Sequence, residues 1–247
     1  MSIGNPTVDS IGTPFRVGAA LSRAFQVFGA GFVKFVLLTA LAFLPLIVVD
    51  LTFGSGAGNG AQAAHLLTTV LQLVLGPLAN AACLYGAYQI MRGQSFSIGE
   101  SLGAGLRRLG PVVGAALLVG ILIGLAALAL VVPAFMVACA FYVAVPACVI
   151  ERVGPRASLK RSGQLTRGNR WGIFGLLILV AIGTIVLAGA LAALGAVIGG
   201  AVLAAIFTFV AEVVVAAFGA VMAAVVYHDL RVAKEGVDID QIAAVFD

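Results

Sequence analysis

The charged residues of this chain leave long uncharged gaps, and the gaps set its layout. Leu109 to Ile150 runs 42 residues without a formal charge, Trp171 to Ala211 runs 41, and Leu51 to Met91 runs another 41 in which only His65 can titrate. A hydrocarbon core about 30 Å thick is crossed by about 20 helical residues. A helix filling the longest gap would be about 63 Å long, so each gap holds two spans, or a span with a loop. Helix breakers mark the divisions. Pro133 cuts the 109–150 gap into near-equal halves, and Gly199-Gly200 cuts the stretch from Trp171 to Tyr227. Gly54 to Gly60 reads Gly-Ser-Gly-Ala-Gly-Asn-Gly, turn chemistry with no apolar residue beyond one alanine. The pattern predicts an all-α polytopic membrane protein with six transmembrane helices in one integral domain over 1–247. The spans are expected at about 33–53, 66–91, 111–131, 133–150, 172–196 and 202–227, paired as three hairpins.

Composition agrees. The 247 residues are 62% hydrophobic and 10% charged, with a mean hydropathy of +1.16. Soluble domains are about 45–50% apolar and about 25% charged, so a water-soluble globular fold, a disordered chain and a coiled coil are excluded. Three cysteines cannot build a disulfide framework.

Charge sign then orients the spans. With both termini and the loops at 92–110 and 151–171 on one side, all 14 Lys and Arg fall on that side, and the opposite side has none. Because short cytoplasmic loops carry the Lys and Arg, the expectation is N-in, C-in, in a bacterial cytoplasmic (inner) membrane. Ala61-Gln62-Ala63 mimics a signal-peptide cleavage site, but the long segment before the first span and Asp50 near its end fit a signal peptide poorly.

An amphipathic segment precedes each expected hairpin, at about 14–30, 97–109 and 155–168. Thr13-Pro14 supplies an N-cap and first-turn proline for the first, with Leu21, Phe25 and Phe28 on one side and Arg16 and Arg23 free to reach water. Ser97 and Glu100 form a capping-box pattern for the second, where Leu102, Leu106 and Leu109 line one face beside Arg107 and Arg108. Gly154-Pro155 starts the third, which runs through Ala157, Leu159 and Leu165 with Arg156, Lys160, Arg161 and Arg167. These segments read as interfacial helices on the inner leaflet. Two small-xxx-small patterns, Gly120-x-x-x-Gly124 and Gly195-x-x-x-Gly199, predict close helix approach inside the bundle.

Candidate chemistry is sparse. Glu212 is the acidic residue deep within a span, 15 residues before Tyr227, or about 22 Å of helix. Thr208, one turn before it, and Asn80 or Gln72 on the second span are its expected partners. Asp50, His65 and Lys34 read as interface markers. The two histidines, His65 and His228, fall on opposite faces, and Cys83, Cys139 and Cys148 lack ligand spacing. With no metal site, no phosphate-binding glycine loop and no nucleophile–base pair, the reading is non-enzymatic, with no cofactor.

The clearest partner signal is the 151–171 loop, six cationic residues against one glutamate. Together with Arg107 and Arg108, its Arg156, Lys160, Arg161, Arg167 and Arg170 are expected to meet anionic lipid headgroups, each contributing about 1 kcal/mol near the surface. Trp171 is the matching interfacial anchor. Membrane proximity argues for lipid, or for a protein partner or self-association, and against nucleic acid. The acidic tail at 228–247, which could present Ile239, Ile242 and Phe246 behind Asp238, is expected to dock on the same basic loop. The runner-up reading is a small transporter in which Glu212 carries a proton or contacts a substrate.

Three stretches carry a resemblance. They are Phe15-Arg16-Val17-Gly18 through Leu21-Ser22-Arg23-Ala24-Phe25; Pro146-Ala147, Glu151, Gly154 and Ala157 to Ser162, continuing to Leu165-Thr166-Arg167-Gly168 and Trp171; and Tyr227, Asp229-Leu230-Arg231 and Lys234-Glu235-Gly236. On these the chain resembles the six-span bacterial inner-membrane proteins of the YciC-like group and the membrane domain attached to some glycerophosphodiester phosphodiesterases. The resemblance implies a six-helix integral membrane fold. It implies no phosphodiesterase activity, because the catalytic part of those enzymes is a separate soluble barrel with acidic metal ligands.

Overall fold

Residues 16–53 and 59–235 are described by a computed structural model, and these residues form helices and short connections with no strand among them. The helices are α1 (Val17–Ala30), α2 (Phe32–Phe53), α3 (Asn59–Met91), α4 (Ile98–Arg107), α5 (Leu109–Ala129), α6 (Val131–Phe141), α7 (Ala144–Ile150), α8 (Pro155–Thr166) and α9 (Arg170–Glu235). Among the described residues six stretches are long and apolar enough to cross a membrane: Phe32–Val49, Gln62–Met91, Leu109–Ala129, Val132–Ile150, Arg170–Ile198 and Leu203–Glu235. Their number is the six expected, and the chain is consistent with a multi-pass integral membrane protein.

α9 has two arms. Gly200, at φ 67° and ψ −155°, is non-helical, and that combination is open essentially to glycine alone. A Cβ on Gly195 would sit 2.6 Å from the Cα of Ala204, so the arms lie in contact beside the turn.

Two elements differ from the sequence reading. The fourth span is not one helix over 133–150: α6 begins at Val131, with Pro133 inside its first turn, and a break at Tyr142–Val143 separates it from α7. Pro146 explains the break. Its ring crowds the carbonyl four residues back, at Tyr142, and it has no N–H to bond there. The second difference concerns Gly120 and Gly124, where an added Cβ would meet nothing within 4 Å. Their small faces are not used for packing among the described residues, whereas Gly195 is.

Packing is uneven along the bundle. The main buried cluster takes Ala20, Ala24 and Phe28 of α1, Phe35 and Leu38 at the start of α2, and Ala81 to Tyr88 at the end of α3. It continues through Val143 to Ile150 and closes on Val221 to Tyr227 and Leu230. In α2, α3, α5 and the second arm of α9 the contributions come from the half nearest the basic segments. At the other end Leu125, Leu128, Leu130, Ile182, Ile185, Val197 and Ile198 are exposed, as suits surface that meets lipid tails. The second arm of α9 is the central element, with 13 of the 33 residues of Leu203–Glu235 buried against 3 of the 29 of Arg170–Ile198.

α8 shows how the break in the fourth span is accommodated. The last carbonyls of a helix have no partner within it, and in an apolar bundle each needs a donor. Ser162 Oγ and Thr166 Oγ1 both donate to the Ala140 carbonyl, at 2.8 and 3.1 Å. The buried face of α8 is therefore Ser158, Ser162, Leu165 and Thr166; of the three apolar residues noted along this segment, Leu165 is buried, Leu159 is half-buried and Ala157 is exposed.

Candidate functional site at the basic end of the bundle

α1, α4, α8 and the end of α9 gather at one end of the molecule, and polar contacts hold them there. Ser97 caps α4, its side chain accepting from the Glu100 N–H at 3.2 Å, as the capping box predicts. α8 starts from Gly154 with Pro155 in its first turn and ends at Thr166 instead of 168. α1 begins at Val17; the proposed Thr13-Pro14 cap lies outside the described residues. Lys34, expected as a boundary marker, donates to the Phe96 carbonyl at 2.8 Å and lies 5.3 Å from the Phe96 ring centre.

The three stretches that carry the family resemblance meet here. Arg23 of α1 pairs with Asp229 at 2.5 Å, and Asp229 lies 3.3 Å from the Nδ1 of buried His228. Arg161 of α8 joins two carboxylates: its Nε donates to Glu151 Oε1 at 2.6 Å and its Nη2 reaches Glu235 Oε1 at 2.5 Å. Tyr227 also donates to Glu151 Oε1, at 2.6 Å, and Arg231 donates to Glu235 Oε2 at 3.1 Å. Lys234 Nζ donates to the Arg167 carbonyl at 2.6 Å. Burial works against the charge of Arg161, but the hydrogen bonds and charges of Glu151 and Glu235 outweigh it and hold its pKa above the ordinary value. The start of the acidic tail thus engages the basic loop through Lys234 and Glu235. Residues 236–247, with Asp238, Ile239, Ile242 and Phe246, lie outside the described residues.

The seven cations proposed for lipid divide by position. Arg107, Arg156, Lys160, Arg167 and Arg170 are exposed, Arg108 is half-buried, and Arg161 is turned inward to its carboxylates. Trp171, beside Arg170, is 85% exposed, the position of an anchor that stands clear of the protein.

Between α3, α4 and α7 opens a cavity of about 620 Å³, lined among others by Tyr85, Glu100, Arg107, Arg108, Val149 and Arg152. Sequence reasoning missed Arg152 and could not assemble this wall, because its parts come from four segments. Arg152 has φ 53°, in the left-handed region that costs a residue with a side chain about 1–2 kcal/mol. Strain of that kind gathers at functional sites, and here it falls on the cavity wall.

The intramembrane candidates do not come together. Glu212 and Thr208 are both exposed, one turn apart, and Thr208 donates to its own helix at the Ala204 carbonyl, 2.8 Å away. Asn80 is half-buried with a buried Oδ1 that has no hydrogen-bond partner. Its neighbour Ala79 packs in one small cluster with Val213, so Asn80 and Glu212 share a level, but no hydrogen bond joins them. Gln72 is exposed. Among the described residues no three His, Cys, Asp or Glu side chains gather to hold a metal ion.

Compared with protein-family models, with curated proteins and with solved structures, the chain finds no match.

Proposed function

We propose that this is a non-enzymatic integral protein of the bacterial cytoplasmic membrane that binds or organises anionic lipid, or a membrane partner, through its basic end. In this reading the chain is three helix-plus-hairpin units with both termini inside, in keeping with the YciC-like resemblance, and α1, α4 and α8 lie at the inner leaflet. The observation that carries it is the exposed set Arg107, Arg156, Lys160, Arg167 and Arg170, together with an exposed Trp171, on the basic segments of an apolar bundle. Cations beside membrane helices attract anionic headgroups, and a tryptophan among them sits at headgroup depth. The proton-carrying alternative needs a carboxylate lining an internal path; Glu212 faces away from the packed core, so the lipid reading is the better supported.

The test is boundary-lipid composition in reconstituted vesicles of phosphatidylcholine and phosphatidylglycerol. Wild type is expected to enrich phosphatidylglycerol around itself, and raising salt is expected to weaken the enrichment because exposed charges are screened. Changing Arg156, Lys160, Arg167 and Arg170 together to Gln should reduce it at least fivefold, given about 1 kcal/mol per basic residue. Equal occupancy by the two lipids in wild type would overturn the proposal.

A further inference from the structure

We infer that the cavity between α3, α4 and α7 is a stoichiometric binding site for a phosphate group, held by Arg107, Arg108 and Arg152; the inference rests on the lipid reading and gives it a specific site. Three arginines against one carboxylate, Glu100, leave the wall with a formal charge of +2. Among the described residues, no carboxylate forms an ion pair with Arg107 or Arg108, in contrast to Arg161, which has two. Arginine is suited to the task because its planar fork donates two hydrogen bonds to one phosphate.

Shape points the same way. The volume lies within the roughly 300–1,000 Å³ typical of small-ligand pockets. Gly99 and Gly103, one turn apart on α4, also line it, and a Cβ added at either would meet nothing within 4 Å. Val149 and Ala104 add apolar surface, so the site offers a charged wall to a phosphate and a greasy one to whatever carries it. Surface cations such as Arg156 and Lys160 can concentrate anions, but they enclose nothing. A cavity can select.

Two ligand sources share this chemistry, the phosphodiester of an anionic lipid and a soluble phosphate ester. The experiment titrates the full chain in neutral detergent with phosphatidylglycerol, and in parallel with glycerol 3-phosphate, reading bound ligand by native mass spectrometry. Gly103→Leu keeps every charge and fills the cavity. Arg107→Gln with Arg108→Gln keeps the space and removes two donors, and with Arg107 exposed and Arg108 half-buried it keeps the test open should the leucine variant not fold. The expected result is one ligand per chain, saturable, with apparent affinity at least tenfold lower in both variants. Retention of phosphatidylglycerol that glycerol 3-phosphate does not displace identifies the lipid; binding of glycerol 3-phosphate alone identifies a soluble ester. Either supports the site. Affinity unchanged by Gly103→Leu, in a folded protein, overturns it. Should boundary enrichment of phosphatidylglycerol nonetheless respond to the exposed cations, the cavity has failed and the wider lipid reading has not.

Discussion

Arg161→Met is expected to destabilise the folded protein by about 2–3 kcal/mol, the largest effect of any single charge in the molecule. The reason is what remains behind. Glu151 and Glu235 both lean on this guanidinium, at 2.6 and 2.5 Å, and without it two carboxylates and the Tyr227 hydroxyl share one partly enclosed space. Removing one partner of a buried pair costs roughly 3–5 kcal/mol because the other charge is stranded. Here the three side chains retain 18–26% exposure, so water recovers part of that. Midpoints of chains this size move about 2–4 °C per kcal/mol, which puts the expected drop in melting temperature in detergent at about 5–10 °C. Arg156→Met removes a like charge from the exposed face of the same helix and should change stability by no more than about 0.5 kcal/mol. Equal melting temperatures for the two variants would show that the contact among α7, α8 and the end of α9 carries no stability.

That contrast also marks what the sequence could and could not convey. Counting charges places Arg156, Lys160, Arg161 and Arg167 in one basic loop, and hydrophobicity marks Ala157, Leu159 and Leu165 along it without fixing which face turns inward. The true phase is set by hydrogen bonding. Ser162 and Thr166 lie four residues apart and both donate to the freed carbonyl at Ala140, while Ser158, one turn earlier on the same face, donates to the Pro155 carbonyl; at 100° per residue Arg161 lies within about 60° of Ser158 and Leu165. Arg156 and Lys160 lie opposite. The stripe was legible, but only to a reader who knew that the fourth span breaks, and Pro146 was the signal for that. The spans themselves were legible because a bilayer imposes length and apolarity on any sequence that crosses it. The cavity was not. Tyr85 on α3, Glu100 and Arg107 on α4, Val149 on α7 and Arg152 beyond it come from separate segments, and no periodicity in any one segment announces a wall shared by four. Nor could Gly120-x-x-x-Gly124 declare whether its partner lies in this chain or outside it, since both cases need the same small residues.

The turn between the arms of α9 is where sequence and structure agree most closely, and it supports the second large prediction. Gly200→Ala is expected to cost about 2–3 kcal/mol, because φ 67° with ψ −155° is a conformation in which a Cβ meets the chain on both sides. Gly195→Ala should cost a similar amount by a different route. Its methyl carbon would approach the Ala204 Cα at 2.6 Å, the Ala204 nitrogen at 2.9 Å and the Leu203 carbonyl carbon at 3.0 Å. Those are backbone atoms, which cannot rotate aside, so the arms must part. Gly189→Ala is the internal comparison: it lies in the first arm with nothing within 4 Å of an added Cβ, and replacing a helical glycine by alanine there should stabilise by up to about 1 kcal/mol. Thermal unfolding of the three variants in detergent separates the effects, since helix propensity alone would move Gly195→Ala and Gly189→Ala in the same direction. Opposite signs mean that the arms touch at Gly195; matching gains mean that they do not. The outcome bears on the whole bundle, because the second arm, fixed at this turn, carries Tyr227, Asp229 and Glu235 to the basic end, where Arg23 and Arg161 hold them.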